Sequence, residues 1–307
     1  MHLSTKFADI IPSRLKTLVP DTWKRQIKGS SLYLKDRSDV DNVYHCCTHK
    51  SASQWVKSLL VDPLTFRYSG LRHFHYQSEW ADWMDSRDPR SFNERYFSKS
   101  FPKQTVCSPL YIPYDCFREI PKPPRYRSFF VLRDPRDVIV SWYFSMKHSH
   151  TLMGNIAQLR QELQDRPKVE GLCWYIERLS NSGFYDLQRS WIEPDDPNAA
   201  VFRYEDLTGP NQVEYVRKLF QHCTIPLPDT QLRTLLDRHS FKKKSGGRDK
   251  GVTDEKNHYR KGKAGDWREH FTQEVTQTFL REAGPLAFDL GYSSTEKHLQ
   301  GLSGSAE

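Results

Sequence analysis

Tyr126-Arg127-Ser128-Phe129-Phe130-Val131-Leu132-Arg133-Asp134-Pro135-Arg136-Asp137-Val138-Ile139-Val140-Ser141 decides the fold class. The apolar, β-rich run from Tyr126 to Leu132 reads as a strand that stops at the charge of Arg133. Arg136 to Met146 then reads as a helix, with Pro135 in its first turn, where a missing N–H leaves nothing unpaired that would otherwise be bonded. A strand feeding a helix through a tight turn is the building unit of an α/β fold. It also makes an anion site, because free N–H groups and the helix dipole face the turn. Arg133 leaves the strand end and Ser141 stands about two helical turns on. Both can reach one phosphate if a ligand lies across the strand ends, where α/β sheets bind. The plainer reading of the same residues is an Arg–Asp ion pair at a helix start, with Asp137 a helix-start partner rather than a catalytic group.

The unit recurs upstream. Asn42 to Cys47 reads as a strand and Ser53 to Leu60 as the helix after it, joined through Thr48-His49-Lys50-Ser51-Ala52-Ser53-Gln54-Trp55. Lys50 adds a full charge to the turn, and Ser51 and Ser53 add hydroxyls. The loop has no glycine, so it is not the G-x-x-x-x-G-K-[ST] loop of ATP and GTP enzymes. Thr65 to Tyr68 and Gln104 to Cys107 are weaker strands, and Ala199 to Arg203 is a strand of buried type. Helices are expected over Gly171 to Trp191, Val213 to Phe220 and Glu274 to Arg281. Residues 1–40 read as an N-terminal segment packed on the body, 41–292 as one domain, and 293–307 as a polar, frayed tail. Glu79 to Pro102 and Lys242 to Lys263 are long loops, which in a compact domain are usually functional or disordered.

Composition narrows the partners. A net charge of +8 and a pI near 9.1 favour an anionic partner: a nucleotide, a nucleic acid or an acidic membrane. No run of 18 apolar residues occurs, so no transmembrane anchor is expected, and Met1 to Lys28 does not read as a signal peptide. The six cysteines include no C-x-x-C pair, and adjacent Cys46 and Cys47 point to opposite faces of a strand. Free thiols in a reducing, cytoplasmic compartment are expected.

A second basic element lies near the C-terminus, Tyr259-Arg260-Lys261-Gly262-Lys263-Ala264-Gly265-Asp266-Trp267. Glycine lets the backbone approach a ligand closely, and Arg and Lys beside it suit a phosphate, one as a planar fork and the other as a point charge.

These stretches together resemble the sulfotransferases that use 3′-phosphoadenosine 5′-phosphosulfate (PAPS). Arg133 to Ser141 is a complete match to that family's R-[DN]-P-[KR]-D-x-x-x-S. His49 to Trp55 partly matches P-K-[ST]-G-[ST]-T-W, with His49 for the Pro, Ala52 for the Gly and Gln54 for a Thr. Tyr204-Glu205-Asp206-Leu207 resembles Y-E-D-[LM], His239-Ser240-Phe241 resembles [TS]-S-F, and Arg260 to Trp267 resembles R-K-G-x-x-G-D-W. The five pieces come in family order. The resemblance implies an α/β, P-loop-like three-layer fold with a central, mainly parallel sheet flanked by helices. It implies that Lys50, Ser51, Ala52, Ser53, Gln54 and Trp55 hold the phosphosulfate end. Arg133, Ser141, Arg260, Lys261 and Gly262 would hold phosphate, with the 3′-phosphate on Arg133 and Ser141. Phe241 would stack on adenine with Ser240 in support, Trp55 would be the opposite wall, and Tyr204 an adenine-side contact.

The implied reaction is in-line transfer of a sulfuryl group from PAPS to a hydroxyl or amine of a small-molecule acceptor, with Lys50 on the bridging oxygen. It needs no metal, because Lys50, Arg133, Arg260 and Lys261 offset roughly four ligand charges. His45, Cys46, Cys47 and His49 spread over two strand faces and make a poor metal site. The chain departs from the family at the base. Cytosolic members carry a His in K-T-H-x-P before the Arg-bearing strand, and the matching Gln104 to Pro109 has none. Other branches place a base some twenty residues past the phosphosulfate Lys, where this chain has His73 and His75 on one strand face. These are the first choice for the catalytic base, with His148 and His150 the second. Glu79 to Pro102, with Trp80, Trp83, Tyr96 and Phe97, and the Gly171 to Trp191 helix are expected to line the acceptor pocket. The alternatives are a kinase-like nucleotide enzyme and a nucleotide-binding protein without catalysis. Nucleic acid is not expected, because the basic residues cluster in motifs for one nucleotide rather than along a helix face.

Overall fold

Six consecutive residues, Asn42–Cys47 (β1), are all buried, so both faces of this strand are covered by other elements. That is the environment of a central strand in a parallel sheet. The computed structural model describes residues 38–74, 84–85, 96–97, 99–152 and 156–303. Beside β1 the strands are Arg72–Phe74 (β2), Met84–Asp85 (β3), Tyr96–Phe97 (β4), Thr105–Leu110 (β5), Tyr126–Leu132 (β6) and Ala199–Arg203 (β7). Five of them form one parallel sheet in the order β2-β5-β1-β6-β7, and β3 pairs with β4 in a separate antiparallel ribbon. The register sets Cys47 beside Val131 and Leu132 beside Arg203, so the chain leaves β1, β6 and β7 at one edge of the sheet.

Helices cover the sheet. In the first half they are Ser53–Leu60 (α1), Pro63–Ser69 (α2), Tyr114–Glu119 (α3), Pro135–Phe144 (α4), Ile156–Gln164 (α5), Lys168–Asn181 (α6) and Phe184–Ser190 (α7). Then follow Tyr204–Thr208 (α8), Gln212–His222 (α9), Asp229–Arg238 (α10), Phe241–Lys244 (α11), Gln273–Ala283 (α12), Leu286–Asp289 (α13) and Thr295–Ser303 (α14). The result is the expected three-layer α/β architecture around a parallel sheet. After β1 the chain moves to the β5 side, and after β5 it crosses to β6 on the other side of β1. Such a reversal opens a crevice at the carboxyl ends of the strands. No described helix is long and apolar enough to cross a membrane.

Four expectations need correction. Thr65 to Tyr68 is not a strand but part of α2, because Pro63 and the Asp62 carboxylate, which accepts from the Leu64 N–H at 2.8 Å, start a helix there. The helix expected over Gly171 to Trp191 is two helices, α6 and α7, separated by Gly183 at φ 73°. The helix expected to reach Met146 ends as α at Phe144 and continues as one π turn, Ser145–Ser149. The tail expected to fray carries α14, and buried Thr295 accepts a bond from the equally buried Arg136 at 3.3 Å. Of residues 1–40 only the last three are described, so the expected N-terminal packing lies outside the described residues.

Candidate functional site

A cavity of about 260 Å³ opens at the carboxyl ends of β1 and β6. Lys50, Ala52, Ser53, Gln54 and Trp55 line it from the first turn, and Arg133 and Ser141 from the second. Tyr204, Ser240 and Phe241 close one side, and Arg260, Lys261 and Gly262 come from the C-terminal loop. Stretches as far apart in sequence as Lys50 and Gly262 thus meet at one place.

The turn after β1 curls sharply. Lys50 (φ 63°) and Ala52 (φ 60°) are both left-handed, a conformation that costs an L-residue roughly 1–2 kcal/mol. Turns of this type aim successive N–H groups into one concavity suited to an anion. Three bonds hold the curl: Ser51 Oγ donates to the Thr48 carbonyl at 2.6 Å, Arg133 Nη1 to the Lys50 carbonyl at 2.6 Å, and Trp55 N–H to the Ala52 carbonyl at 2.9 Å. The Ser51 hydroxyl is therefore spent on the turn, and Ser51 is fully buried and absent from the cavity wall. This departs from its expected place at the ligand. Ala52 is the N-cap of α1 and gives it no side-chain cap, so the helix start beside the cavity takes no hydrogen bond from that side chain. Burial, and after it the charges of Arg133 and Arg260, push the Lys50 ammonium down to about 8.

Arg133 is braced on several sides. Its guanidinium lies 4.2 Å over the Tyr204 ring and 3.9 Å from Asp137. Among the described residues its buried Nε has no hydrogen-bond partner, and neither does the buried Nε of Arg260. Two cationic donors left unpaired beside one cavity are what an anion would satisfy. The neighbouring Arg136, by contrast, is a framework residue. It is fully buried, grips the Asp134 carboxylate at 2.9 and 2.8 Å and stacks 3.7 Å over Trp267.

Asp137 has a third role that neither sequence reading named. Its carboxylate accepts from the Gly265 N–H at 2.6 Å and the Trp267 N–H at 2.9 Å, which pins the C-terminal loop to the start of α4. Within that loop, Asp266 pairs with Arg260, Lys261 and His270. Burial would raise the Asp266 carboxyl, yet the hydrogen bonds from His270, Lys261 and Arg260 hold it far below the usual range. Lys261 also reaches Glu269 at 2.9 Å. The acids Asp266 and Glu269, which with His270 form a metal-sized cluster, are thus engaged by the two basic side chains. Glu205 does similar work for the Tyr204 turn: it accepts from the Asp134 N–H at 3.1 Å and the Tyr292 hydroxyl at 3.0 Å.

Trp55 and Phe241 supply the aromatic lining. The Trp55 indole donates to the His239 carbonyl at 3.0 Å, and the His239 ring bonds Asp62 at 2.8 Å, tying the Ser240-Phe241 turn to the start of α2. Gly262 sits at φ 66°, and a Cβ on it would overlap the Phe241 ring. We expect Gly262→Ala to destabilise the fold by roughly 1–3 kcal/mol, through backbone strain and overpacking. The midpoint of urea unfolding measures this. A wild-type midpoint would show that the Phe241 ring swings aside freely.

The histidines are not arranged as the sequence suggested. His73 is on edge strand β2, its Nε2 is 2.9 Å from the Ser108 carbonyl, and it does not line the cavity. His75, Trp80 and Trp83 lie outside the described residues. Phe97 is core, packed edge-on to Phe101 at 5.1 Å, and Tyr96 is exposed, so neither lines this cavity. Nor do α6 and α7; their Tyr175 and Phe184 pack against Trp142, which does. His148 faces Glu255 at 3.8 Å. His150, a second-choice residue, lines the cavity, together with His49 and His258, which sequence reading passed over as bases. The only sequence signal for these two was position: His49 precedes Lys50, and His258 stands two residues before Arg260.

The family model of the sulfotransferase domain matches residues 41–283. Sulfotransferase 6B1 of Danio rerio is 27% identical over 150 residues, which are 47% of this chain and 46% of that protein. The chain thus matches about half the length of that relative. Sulfotransferase 2A1 of Homo sapiens is 23% identical over 264 residues, covering 75% of this chain and 78% of that protein. A flavonol sulfotransferase-like protein of Flaveria bidentis is 23% identical over 281 residues, covering 84% and 86%. Among solved structures, mouse sulfotransferase SULT7A1 complexed with PAP superposes with a TM-score of 0.55 at 16% identity, over 91% of this chain and 95% of that one, which establishes a shared fold.

Proposed function

The chain belongs to the sulfotransferase domain family, and from that premise we propose that it transfers a sulfuryl group from PAPS to a hydroxyl or amine of a small-molecule acceptor by in-line displacement. One observation carries the reading: Lys50, Arg133, Ser141, Trp55 and Phe241 line one cavity, with buried Arg133 and Arg260 nitrogens there that have no partner among the described residues. PAPS brings two phosphate groups, a sulfate and an adenine, and the cavity offers cations, helix-start N–H groups and aromatic rings to meet them.

In the proposed mechanism the protein positions the two substrates and stabilises charge that develops on the leaving group. The acceptor atom attacks sulfur as the bond from sulfur to the 5′-phosphate oxygen breaks. The electron pair goes to that oxygen, and Lys50 and the N–H groups at the start of α1 stabilise it. Arg133 and Ser141 hold the 3′-phosphate, and Arg260, Lys261 and Gly262 close over it. Tyr204 flanks the adenine side and Ser240 supports the Phe241 turn. Five of the six cysteines are buried, and the cytoplasm, a reducing compartment, is the proposed location.

Thermal unfolding with adenosine 3′,5′-bisphosphate (PAP), AMP, ADP and ATP–Mg²⁺ tests the reading. At about a hundredfold over its dissociation constant, PAP should stabilise the protein by roughly 2.7 kcal/mol, and the nucleotides without a 3′-phosphate by much less. Stabilisation by ATP–Mg²⁺ alone would replace the proposal with a kinase-like one.

A further inference from the structure

His49, His150 and His258 line the cavity that holds Lys50, and His73 does not. Their surroundings differ. The His49 ring is stacked on Tyr111 at 3.7 Å and tilted against Trp142 at 5.0 Å, so it serves as part of the aromatic wall. His150 closes the π turn after α4, with its N–H on the Ser145 carbonyl at 2.7 Å and its own carbonyl held by Arg160 of α5. His258 approaches from the C-terminal loop, edge-on to Tyr259 at 5.3 Å. The contact of His148 with Glu255 joins that loop to the π turn. Two imidazoles from different elements therefore meet beside Lys50.

We propose that His258, with His150 beside it, takes the acceptor's proton; this rests on the sulfuryl-transfer reading above. As the bond from the acceptor oxygen or nitrogen to sulfur forms, its proton passes to the imidazole lone pair of His258. The bond from sulfur to the bridging oxygen breaks, and that oxygen keeps the electron pair beside Lys50. The products are the sulfated acceptor, PAP and a proton, which the imidazolium returns to water.

Electrostatics supports the placement. The groups that act on His258 are Lys50 from the turn after β1 and His150 from the π turn, with Tyr259 beside it and Arg260 further along its own loop. Burial, then Lys50 and His150, push the His258 imidazolium down to about 4. His150 is lowered by burial, Lys50 and Arg160. Both rings are thus neutral at pH 7 and have a lone pair to offer. A bound donor brings roughly four negative charges, which favour the imidazolium and make His258 a stronger base. The base is strengthened only when the donor is in place.

Wild type, H258Q, H150Q and H73Q are compared for PAP binding by calorimetry and for release of PAP from PAPS, with p-nitrophenol, hexanol, hexylamine or water alone as acceptor. H258Q should bind PAP within about threefold of wild type and lose about 10²–10⁴ in turnover. The loss should be larger with hexanol than with p-nitrophenol, which ionises near neutrality, and H258A should be partly rescued by added imidazole. Histidine NMR should show the His258 pKa rising when PAP binds. Wild-type turnover in H258Q, an equal loss with both acceptors, or a loss in H73Q alone would overturn the proposal. Wild type that binds PAP but releases none from PAPS with any of the four also overturns it, and leaves the donor site standing. Wild type that does not bind PAP removes the sulfuryl-transfer reading, and the base with it.

Discussion

Lys50→Ala is expected to lower turnover by roughly 10²–10³, the loss typical of removing one preorganised charge from a developing anion. The side chain is placed for this: it lines the cavity from a left-handed turn at the carboxyl end of β1, next to the start of α1. Its charge matters most when the bridging oxygen takes up the electron pair, so kcat should fall more than PAP affinity. A turnover within about twofold of wild type would remove Lys50 from the mechanism. The pH profile gives a second reading. Lys50 must be protonated to act, and in the free enzyme burial together with Arg133 and Arg260 brings its pKa down to about 8. The charge is present below that pH and lost above it, so kcat/KM for the donor should fall as pH rises through about 8. Lys50→Arg keeps its charge at high pH, and in that variant the basic limb should move out of range.

Arg133→Ala should weaken PAP binding by roughly 1.5–3 kcal/mol, or about ten- to 150-fold, as charged hydrogen bonds are lost. Affinity for AMP should change far less, because the contact proposed for Arg133 is to the 3′-phosphate. The same guanidinium also braces the Lys50 carbonyl at 2.6 Å and the Tyr204 ring at 4.2 Å. Turnover at saturating donor should therefore drop too. Lysine at this position keeps the charge but not the planar fork, and should recover only part of the affinity. Calorimetry with PAP and AMP decides: equal losses for both ligands would mean that Arg133 only shapes the turn.

What was legible in the chain was local. A β-rich run that stops at a charge, a proline placed where a helix can begin, and a basic turn before each helix are properties of neighbouring residues. They placed β1, α1, β6 and the start of α4 correctly. The errors were local too, where two local signals competed. At Thr65 to Tyr68 an apolar, aromatic run read as strand, but the Asp62 cap and Pro63 make helix. At Gly183 a helical pattern continued across a residue whose left-handed backbone breaks the helix.

The sequence by itself determined the fold class and the strand–turn–helix units that carry Lys50 and Arg133, because strand, turn and helix start are each set within about ten residues. Tertiary structure alone decided which side chains face the cavity. Ser51 turns inward to brace its own loop, His73 is held at the Ser108 carbonyl, and His150 and His258 come to Lys50 from two different elements. The Asp137 carboxylate fastens the basic loop by accepting from backbone N–H groups 128 and 130 positions away. The reason is physical: contacts over such separations follow from how helices pack on a sheet, and that packing leaves no period or spacing in the chain to read.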